Sequence, residues 1–291
     1  MTELSPAAPA IIELPHVGRT ADTENFPVGS WLIAAEQRPS LLTYYAFARA
    51  ADDIADHPRL DASDKLRRLD TLDAILLGHT PADPADRAQE AAAALHQDFT
   101  RRGLAIEHAR HLLQAFRADV QNRPCRNWSD LLAYCRYSAA PVARFVLDLH
   151  RESAAARPAG EALCAALQIL NHLQDCRVDW RDLRRLYIPQ DWLDEAGVAP
   201  AALLAAQATP ALRRVLDRML DGVDRLHVAA APLPRLIADR GLRMEATAVL
   251  AISRRLAARL RRRDPLAGRV GVSKLDKIVA LGYGLAFGWR R

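Results

Sequence analysis

Apolar residues recur at helical spacing along almost all of this 291-residue chain. Two such runs are Leu66, Leu69, Leu72 and Leu76, and Val249, Ile252, Leu256 and Leu260. Side chains three or four residues apart lie on one face of an α-helix, whereas a strand needs strict alternation, which is not seen here. Half of the residues are hydrophobic, enough for a large buried core. The chain is therefore predicted to be all-α.

Prolines and short polar stretches divide this pattern into eleven predicted helices. They lie at residues 28–38, 39–57, 62–78, 84–101, 105–121, 128–150, 159–180, 200–206, 209–230, 232–240 and 242–263. No repeat and no low-complexity linker divides the chain. We expect a flexible arm at 1–20, one helical domain at 21–268 and a tail at 269–291. The end of the tail, GYGLAFGWRR, suits either a small packing element or a disordered segment.

Net charge and cysteine content indicate the kind of partner and the cellular compartment of the protein. The net charge of +5 favours an anionic partner without naming its class. The four cysteines show no zinc-type spacing, as expected of a reduced, cytoplasmic protein. The first residues lack the pattern of a signal peptide, and no apolar run reaches the ~18–20 residues of a membrane span.

Three aspartates lie in the alanine-rich stretch RAADDIADHP, residues 49–58. Asp52 and Asp56 are four residues apart, so they share a face of the predicted helix. Arg49 and Tyr45 precede them at three- and four-residue steps and extend that face. Asp53 is rotated by about 100° from Asp52 and only borders it.

A second polar stripe lies in QILNHLQDCRVDW, residues 168–180. Asn171, Asp175 and Asp179 are spaced four residues apart, and Gln168 stands three residues before Asn171. Four oxygen-bearing side chains thus line one face of an otherwise apolar helix. Such a face is typical of ligands that point into a helical bundle.

Two oxygen-rich faces without supporting thiol or imidazole ligands suit a hard cation, and Mg²⁺ fits best. A single pair of aspartates on a helix usually faces solvent. Two clusters embedded in apolar sequence, with Arg49 and Arg185 close by, favour a site that binds a diphosphate. The predicted metal ligands are Asp52, Asp56, Asn171, Asp175 and Asp179.

These motifs resemble the squalene/phytoene synthase family, which joins isoprenoid chains head to head. The family's two aspartate-rich motifs correspond to YAFARAADDIAD (45–56) and QILNHLQDCRVD (168–179), followed by RLYIP (185–189). The similarity extends over about residues 23–265. It implies an α-helical isoprenoid-synthase bundle around a central cavity.

Within the family the chain is most similar to the bacterial hydroxysqualene synthases of hopanoid and squalene biosynthesis. The similarity is carried by ENFPVGSWLIA (24–34), RAADDIADHP, YCRYSAAPVARFVLDLH (134–150), NHLQDCRVDW and RRDPLAGRVGVSKL (262–275). The implied substrates are presqualene diphosphate and water, and the implied products are hydroxysqualene and diphosphate. Mg²⁺ is the implied cofactor, and no NADPH is expected.

The resemblance also assigns roles to individual side chains. Metal-assisted ionisation would leave a carbocation, which aromatic faces can stabilise; the candidates are Phe26, Tyr45, Phe145 and Tyr187, with core packing the alternative for Phe145. Tyr45, Tyr187 and the four motif aspartates form the predicted catalytic set. The predicted substrate-binding set is Phe26, Arg49, Ser138, Arg144, Gln168, Asn171 and Arg185.

Two departures from the family pattern bear on the reaction. Gln174 stands where many members have arginine, so one positive charge is missing and the condensation of two diphosphates is disfavoured. Pro141 lacks a backbone donor and disturbs the carbonyl of Tyr137. We expect a helix kink there, near Ser138 and Arg144; a carbonyl exposed to the cavity and a plain structural kink are equally compatible with it.

Two other hypotheses for the function remain open. One is an enzyme that condenses two prenyl diphosphates: a presqualene diphosphate, squalene or phytoene synthase. The other is a basic module that binds membrane or nucleic acid through SRRLAARLRRRDP (253–265). Such a module does not need two acidic stripes, so no nucleic-acid partner is expected. Weak peripheral contact with the inner membrane face is compatible with a hydrophobic substrate.

Overall fold

The computed structural model describes residues 32–288, except for the side chains of Lys274, Lys277 and Phe287. The described part is helical and contains no strand, which confirms the all-α prediction. Its helices are α1 (Arg38–Ala55), α2 (Ala62–Leu76), α3 (Arg87–Arg102), α4 (Glu107–Val120), α5 (Trp128–Ser138), α6 (Ala140–Leu149), α7 (Arg157–Val178), α8 (Gln190–Glu195), α9 (Pro210–Ala230), α10 (Leu233–Leu236), α11 (Arg240–Arg262) and α12 (Lys274–Gly288). The predicted arm and Phe26 lie outside the described residues.

Three hydrophobic clusters hold the described helices together, and two of them position the acidic helices. In the first, α1 packs against α2, α3 and α4, around Phe47, Leu95 and Leu113. In the second, α7 packs against α5, α9 and α11, around Leu170 and Leu216. Helix α6 contacts both α4 and α7 and so connects the two halves. The acidic helices α1 and α7 share no extensive packing with each other.

Several elements differ from the sequence-based expectation. The predicted 128–150 helix is divided: α5 ends at Ser138, Ala139 has φ −126°, and α6 starts with Pro141 in its first turn. The break expected at Pro141 is thus present. Residues 32–37, in the predicted 28–38 helix, form turns, and the predicted 232–240 helix is reduced to α10.

The tail also forms a helix. Helix α12 packs along α11, with Ala280 fully buried. At Gly284 the two helices approach closely, because a Cβ there would lie 2.6 Å from the Met244 carbonyl oxygen. The tail segment is therefore a packing element over residues 274–288, the first of the two alternatives that the sequence allowed.

Helix α7 ends in a π-helical turn at Asp179–Leu183. The chain then reverses at Arg184, which has a left-handed φ of 55°. A non-glycine residue in this region costs energy and is often found at functional sites. The turn directs Arg185 and Tyr187 back towards the other helices, as their contacts described below show.

We predict that Gly222→Ala destabilises the fold. A Cβ at Gly222 on α9 would lie 2.3 Å from Cη2 of Trp128, and that ring stacks on Trp192 at 5.5 Å. Since the ring is fixed by its stacking partner, the expected loss is about 1–3 kcal/mol of unfolding free energy. Denaturant unfolding measures it. Val228→Ala, at an exposed site of the same helix, serves as the control; equal stability of the two variants would contradict the prediction.

Candidate active site

The first acidic cluster lies at the carboxyl end of α1. Asp52 is in the last turn and Asp56 is the C-cap residue. The helix dipole places partial negative charge at this end, so two carboxylates here are unfavourable without cations. Arg49 supplies one cation, with Nη1 3.1 Å from Asp52 and Nη2 2.9 Å from Asp53. The Asp53 side chain is more exposed than the Asp52 side chain, as its position at the border of the face predicted.

The carboxyl group of Asp52 is strongly perturbed. Burial and the neighbouring Asp56 raise its pKa to about 7, against the lowering effect of Arg49. About a third of the side chain, 34%, remains exposed, so solvent moderates the effect. A carboxylate held near other negative charge is well suited to binding a cation, which would relieve the repulsion.

Arg185 connects this cluster to the segment after α7. Its Nη1 lies 2.5 Å from Asp56 Oδ1, and its Nη2 donates to the Ala55 carbonyl oxygen at 3.2 Å. Burial opposes the charge on Arg185, but Tyr187, Asp56 and Asp119 outweigh it and raise its pKa. Arg185 therefore remains cationic although only 9% of its side chain is exposed.

The second cluster lies on the carboxyl-terminal half of α7. Gln168, Asn171, Asp175 and Asp179 are all partly buried, as expected for one inward stripe. Asn171 Oδ1 is buried and accepts no hydrogen bond from the described residues. Buried polar atoms are nearly always paired, so this oxygen is available for a ligand.

His172 lies beside that stripe. The Gln168 amide nitrogen is 3.2 Å from His172 Nε2, and Nδ1 is 3.9 Å from Asp179 Oδ2. An amide N–H donates, so Nε2 accepts and the proton of a neutral ring faces Asp179. The ring also stacks on Tyr187, with centroids 3.6 Å apart. It acts as a packing and orienting residue.

A buried carboxylate network that the sequence analysis missed adjoins these residues. Asp119 on α4 is 8% exposed and accepts hydrogen bonds from Tyr187 at 2.8 Å and Tyr134 at 2.9 Å. One signal was present in the sequence: Asp119 falls seven residues after Leu112 and four after Ala115, on the apolar face of its helix. An acid at a core position indicates a partner inside the fold.

Other predicted site residues are placed differently. Arg144 pairs with Glu161 at 2.7 Å. Glu161 lies about 21 Å from Asp175 along α7, so the structure does not bring Arg144 to the acidic clusters. Phe145 is fully buried between Tyr44 and Phe99, which favours the core-packing alternative.

Ser138 and Tyr45 do remain near the site. Ser138 Oγ is buried without a hydrogen-bond partner among the described residues. It lies one turn after Tyr134, on the same face of α5. Tyr45 is partly buried on α1, one turn before Arg49, and interacts electrostatically with it.

The donor set fits a magnesium ion whose coordination other groups complete. Among residues 32–288, no three carboxylate, imidazole or thiol side chains are grouped closely enough to hold a metal ion. Magnesium commonly takes one or two carboxylates and fills the remaining positions with water and phosphate oxygens. Asp52 and Asp56 on α1, and the unpaired Asn171 oxygen on α7, meet that requirement.

Two surface hollows lie elsewhere, along α2. The smaller has a volume of about 220 Å³ and the larger about 570 Å³, and Arg67 and Thr71 line both. Neither is lined by a predicted site residue.

We predict that Asp52→Asn stabilises the metal-free protein at alkaline pH by about 2–4 °C in melting temperature. The folded-state pKa of about 7 lies above the ordinary 3.8. The unfolding free energy of the wild type therefore falls as the pH rises from 3.8 to about 7. Below this range the Asp52 carboxyl group is neutral in both the folded and the unfolded state. The gain of the variant should disappear near pH 4.

Thermal melting between about pH 4 and pH 8 tests this. Asp53→Asn is the control, since this exposed neighbour also pairs with Arg49. An Asp52→Asn gain that is constant across the range would contradict the assignment. Added Mg²⁺ should stabilise the wild type more at pH 8 than at pH 6, because the carboxylate must be ionised to bind it.

Comparison with known proteins identifies the family of the chain. The sequence profile of the squalene/phytoene synthase family matches residues 20–276. The hydroxysqualene synthase of Rhodopseudomonas palustris is 42% identical over 263 residues, covering 90% of this chain and 88% of the relative. The hydroxysqualene synthase of Sinorhizobium fredii is 41% identical and covers 88% and 86%.

Solved structures agree as well. Squalene synthase HpnC from Alicyclobacillus acidocaldarius has a TM-score of 0.69 at 28% identity, over 81% of this chain and 87% of that one. A dehydrosqualene synthase in complex with ligand has a TM-score of 0.74 at 23% identity and covers 88% of both chains. The fold, the paired acidic clusters and these similarities place the chain in the squalene/phytoene synthase family.

Proposed function

We propose that this enzyme is a hydroxysqualene synthase that converts presqualene diphosphate and water into hydroxysqualene and diphosphate. The observation that carries the proposal is the 42% and 41% identity to two hydroxysqualene synthases over about nine-tenths of the chain. The proposed catalytic unit is the helical domain of residues 21–268.

The charged residues at the ends of α1 and α7 bind the diphosphate. Asp52, Asp56, Asn171, Asp175 and Asp179 would hold Mg²⁺, which neutralises charge on the departing diphosphate. Arg185 would bind the same anion; its buried, charged guanidinium held against Asp56 supports this role. Arg49 adds a second cation on α1.

Departure of the diphosphate leaves a carbocation that has to rearrange before it meets water. The rings of Tyr187 and Tyr134 lie beside the acidic residues and offer electron-rich faces to positive charge. Tyr45 offers a third ring from α1. This step requires that bulk water be kept from the carbocation while the carbon skeleton rearranges.

The uncharged Gln174 supports a substrate with a single diphosphate. Its side chain is buried, and its amide donates to the Val270 carbonyl oxygen. It therefore anchors the chain before α12 instead of contributing a cation. The proposed reaction is also redox-neutral, so it does not require NADPH.

Incubation with Mg²⁺ and presqualene diphosphate in ¹⁸O-labelled water tests the activity, with products analysed by mass spectrometry. We expect one labelled hydroxyl per product and no effect of NADPH. Asp175→Asn is expected to lower turnover at least about 100-fold, because a metal ligand is lost, with unchanged helix content. Asp191→Asn, on the short helix α8, is the control.

Two results would contradict the proposal. Turnover of farnesyl diphosphate alone would identify a condensing enzyme of the same family, such as a phytoene synthase. A hydrocarbon formed only with NADPH would identify a reductive squalene synthase. Full activity of Asp175→Asn would remove this residue from the metal site.

We also propose that the enzyme is cytoplasmic and contacts the inner membrane face through α12. Leu275, Ile278 and Leu285 are 68%, 65% and 40% exposed and lie opposite the face that packs on α11. An exposed apolar helix face on a protein of net charge +5 favours binding to anionic lipid. In the described part of the chain, no helix is long and apolar enough to span a bilayer.

Flotation with vesicles containing anionic phospholipid tests this contact. The wild type should float with the vesicles at low salt, and the double variant Leu275→Asn/Ile278→Asn should bind several-fold less because apolar burial is lost. Val228→Asn is the control, at a 75% exposed site on α9. Equal flotation of wild type and double variant would contradict the proposal.

A further inference from the structure

Four side chains from four parts of the fold meet next to the acidic clusters: Asp119 on α4, Tyr134 on α5, His172 on α7 and Tyr187 after the π-helical turn. The Tyr134 and Tyr187 rings are 5.2 Å apart, and Tyr134 lies 5.8 Å from the His172 ring. We call this group the Asp119 network. His172 belongs to the second aspartate-rich motif and Tyr187 to RLYIP, but the metal assignment uses none of the four residues.

The hydrogen bonds of the network have a fixed direction. An ionised carboxylate can only accept, so both tyrosine hydroxyls donate their single proton to Asp119. The remaining lone pairs on the two phenol oxygens can then only accept. A water bound to them has to donate its hydrogens, which leaves the lone pairs of the water oxygen pointing away from the tyrosines.

The network lies between the two acidic clusters. On one side Tyr187 is two residues from Arg185, whose guanidinium holds Asp56. On the other side His172 stacks on Tyr187 and faces Asp179 at 3.9 Å. The phenol oxygens therefore lie close to the residues that we propose bind the diphosphate, and so close to the carbon that the diphosphate would leave.

We propose that Tyr134 and Tyr187 orient the water that the carbocation captures, and that Asp119 is the positioning residue that receives its proton through a tyrosine. A lone pair of the water oxygen forms the new C–O bond. One water O–H bond breaks and its proton passes to a phenol oxygen, while the phenol proton passes to the Asp119 carboxylate. Asp119 becomes neutral, the product is the alcohol, and later loss of that proton to the released diphosphate restores the carboxylate.

Two properties of Asp119 suit this step. Burial raises its pKa, against the lowering effect of Arg185 and the two tyrosines, so it accepts a proton more readily than an exposed carboxylate. It is also screened from bulk water, because its two oxygens are occupied by the tyrosines. This inference rests on the proposed hydroxysqualene synthase activity.

The test separates ionisation from water capture. Wild type, Asp119→Asn, Tyr134→Phe and Tyr187→Phe are incubated with Mg²⁺ and presqualene diphosphate, and released diphosphate and hydroxysqualene are measured in the same reaction. In Asp119→Asn we expect the hydroxysqualene formed per diphosphate released to fall at least about tenfold. The lost alcohol should reappear as hydrocarbons formed by proton loss or as other rearranged products.

Asp148→Asn is the matched control. Asp148 is a partly buried carboxylate that pairs with His108 and Arg157 near the start of α7, about 30 Å along that helix from Asp179. Its ratio of alcohol to diphosphate should equal that of the wild type. A melting curve for each variant reports folding.

An unchanged ratio in Asp119→Asn would overturn the proposal, and so would a parallel loss of both products in a folded protein. If Asp119→Asn does not fold, the two Tyr→Phe variants decide, since they keep the rings and remove only the hydroxyls. Normal ratios in both would overturn it. A wild type that forms no alcohol at all refutes the proposed function itself, so the two failures are distinguishable.

Discussion

The Arg185 guanidinium is the contact on which the arrangement of the site depends. The acidic ends of α1 and α7 pack in different hydrophobic cores, and the two helices share no extensive packing. Arg185 follows α7 in the chain and yet holds Asp56 and the last carbonyl group of α1. One buried cation thus connects the segment after α7 to the acidic end of α1 and offsets the repulsion between the carboxylates there.

That contact explains why the neighbouring polar groups tolerate burial. Asp119 is far from water, but two phenol hydroxyls and the nearby Arg185 satisfy it. The unpaired groups differ: the Asn171 oxygen and the Ser138 hydroxyl are buried without partners among residues 32–288. Other buried atoms in this range, such as His111 Nδ1 and Trp180 Nε1, also lack hydrogen-bond partners, so the position of Asn171 and Ser138 beside the site is what favours a ligand there.

Features that depend on the spacing of residues within one helix were predictable from the sequence. Asp52 with Asp56, and Asp175 with Asp179, are recognisable because helical periodicity brings them to one face. The break at Pro141 follows equally from local chemistry. The Asp119–Tyr134 contact joins residues from different helices, and no spacing rule predicts which helix faces pack together. The short α8 and the glycine-containing α12 lack the long apolar pattern that identifies a helix, so neither was predicted as a helix.

The π-helical turn at Asp179–Leu183 has a consequence for how this protein tolerates changes in chain length. A wide turn holds one residue more than a regular α-helical turn. Deleting that residue would restore a regular helix and rotate the following segment by about 100°. Arg185 and Tyr187 would then face away from α1 and α4, although the sequence would still contain both residues. At this point a single-residue gap in an alignment of homologues is more informative than a substitution.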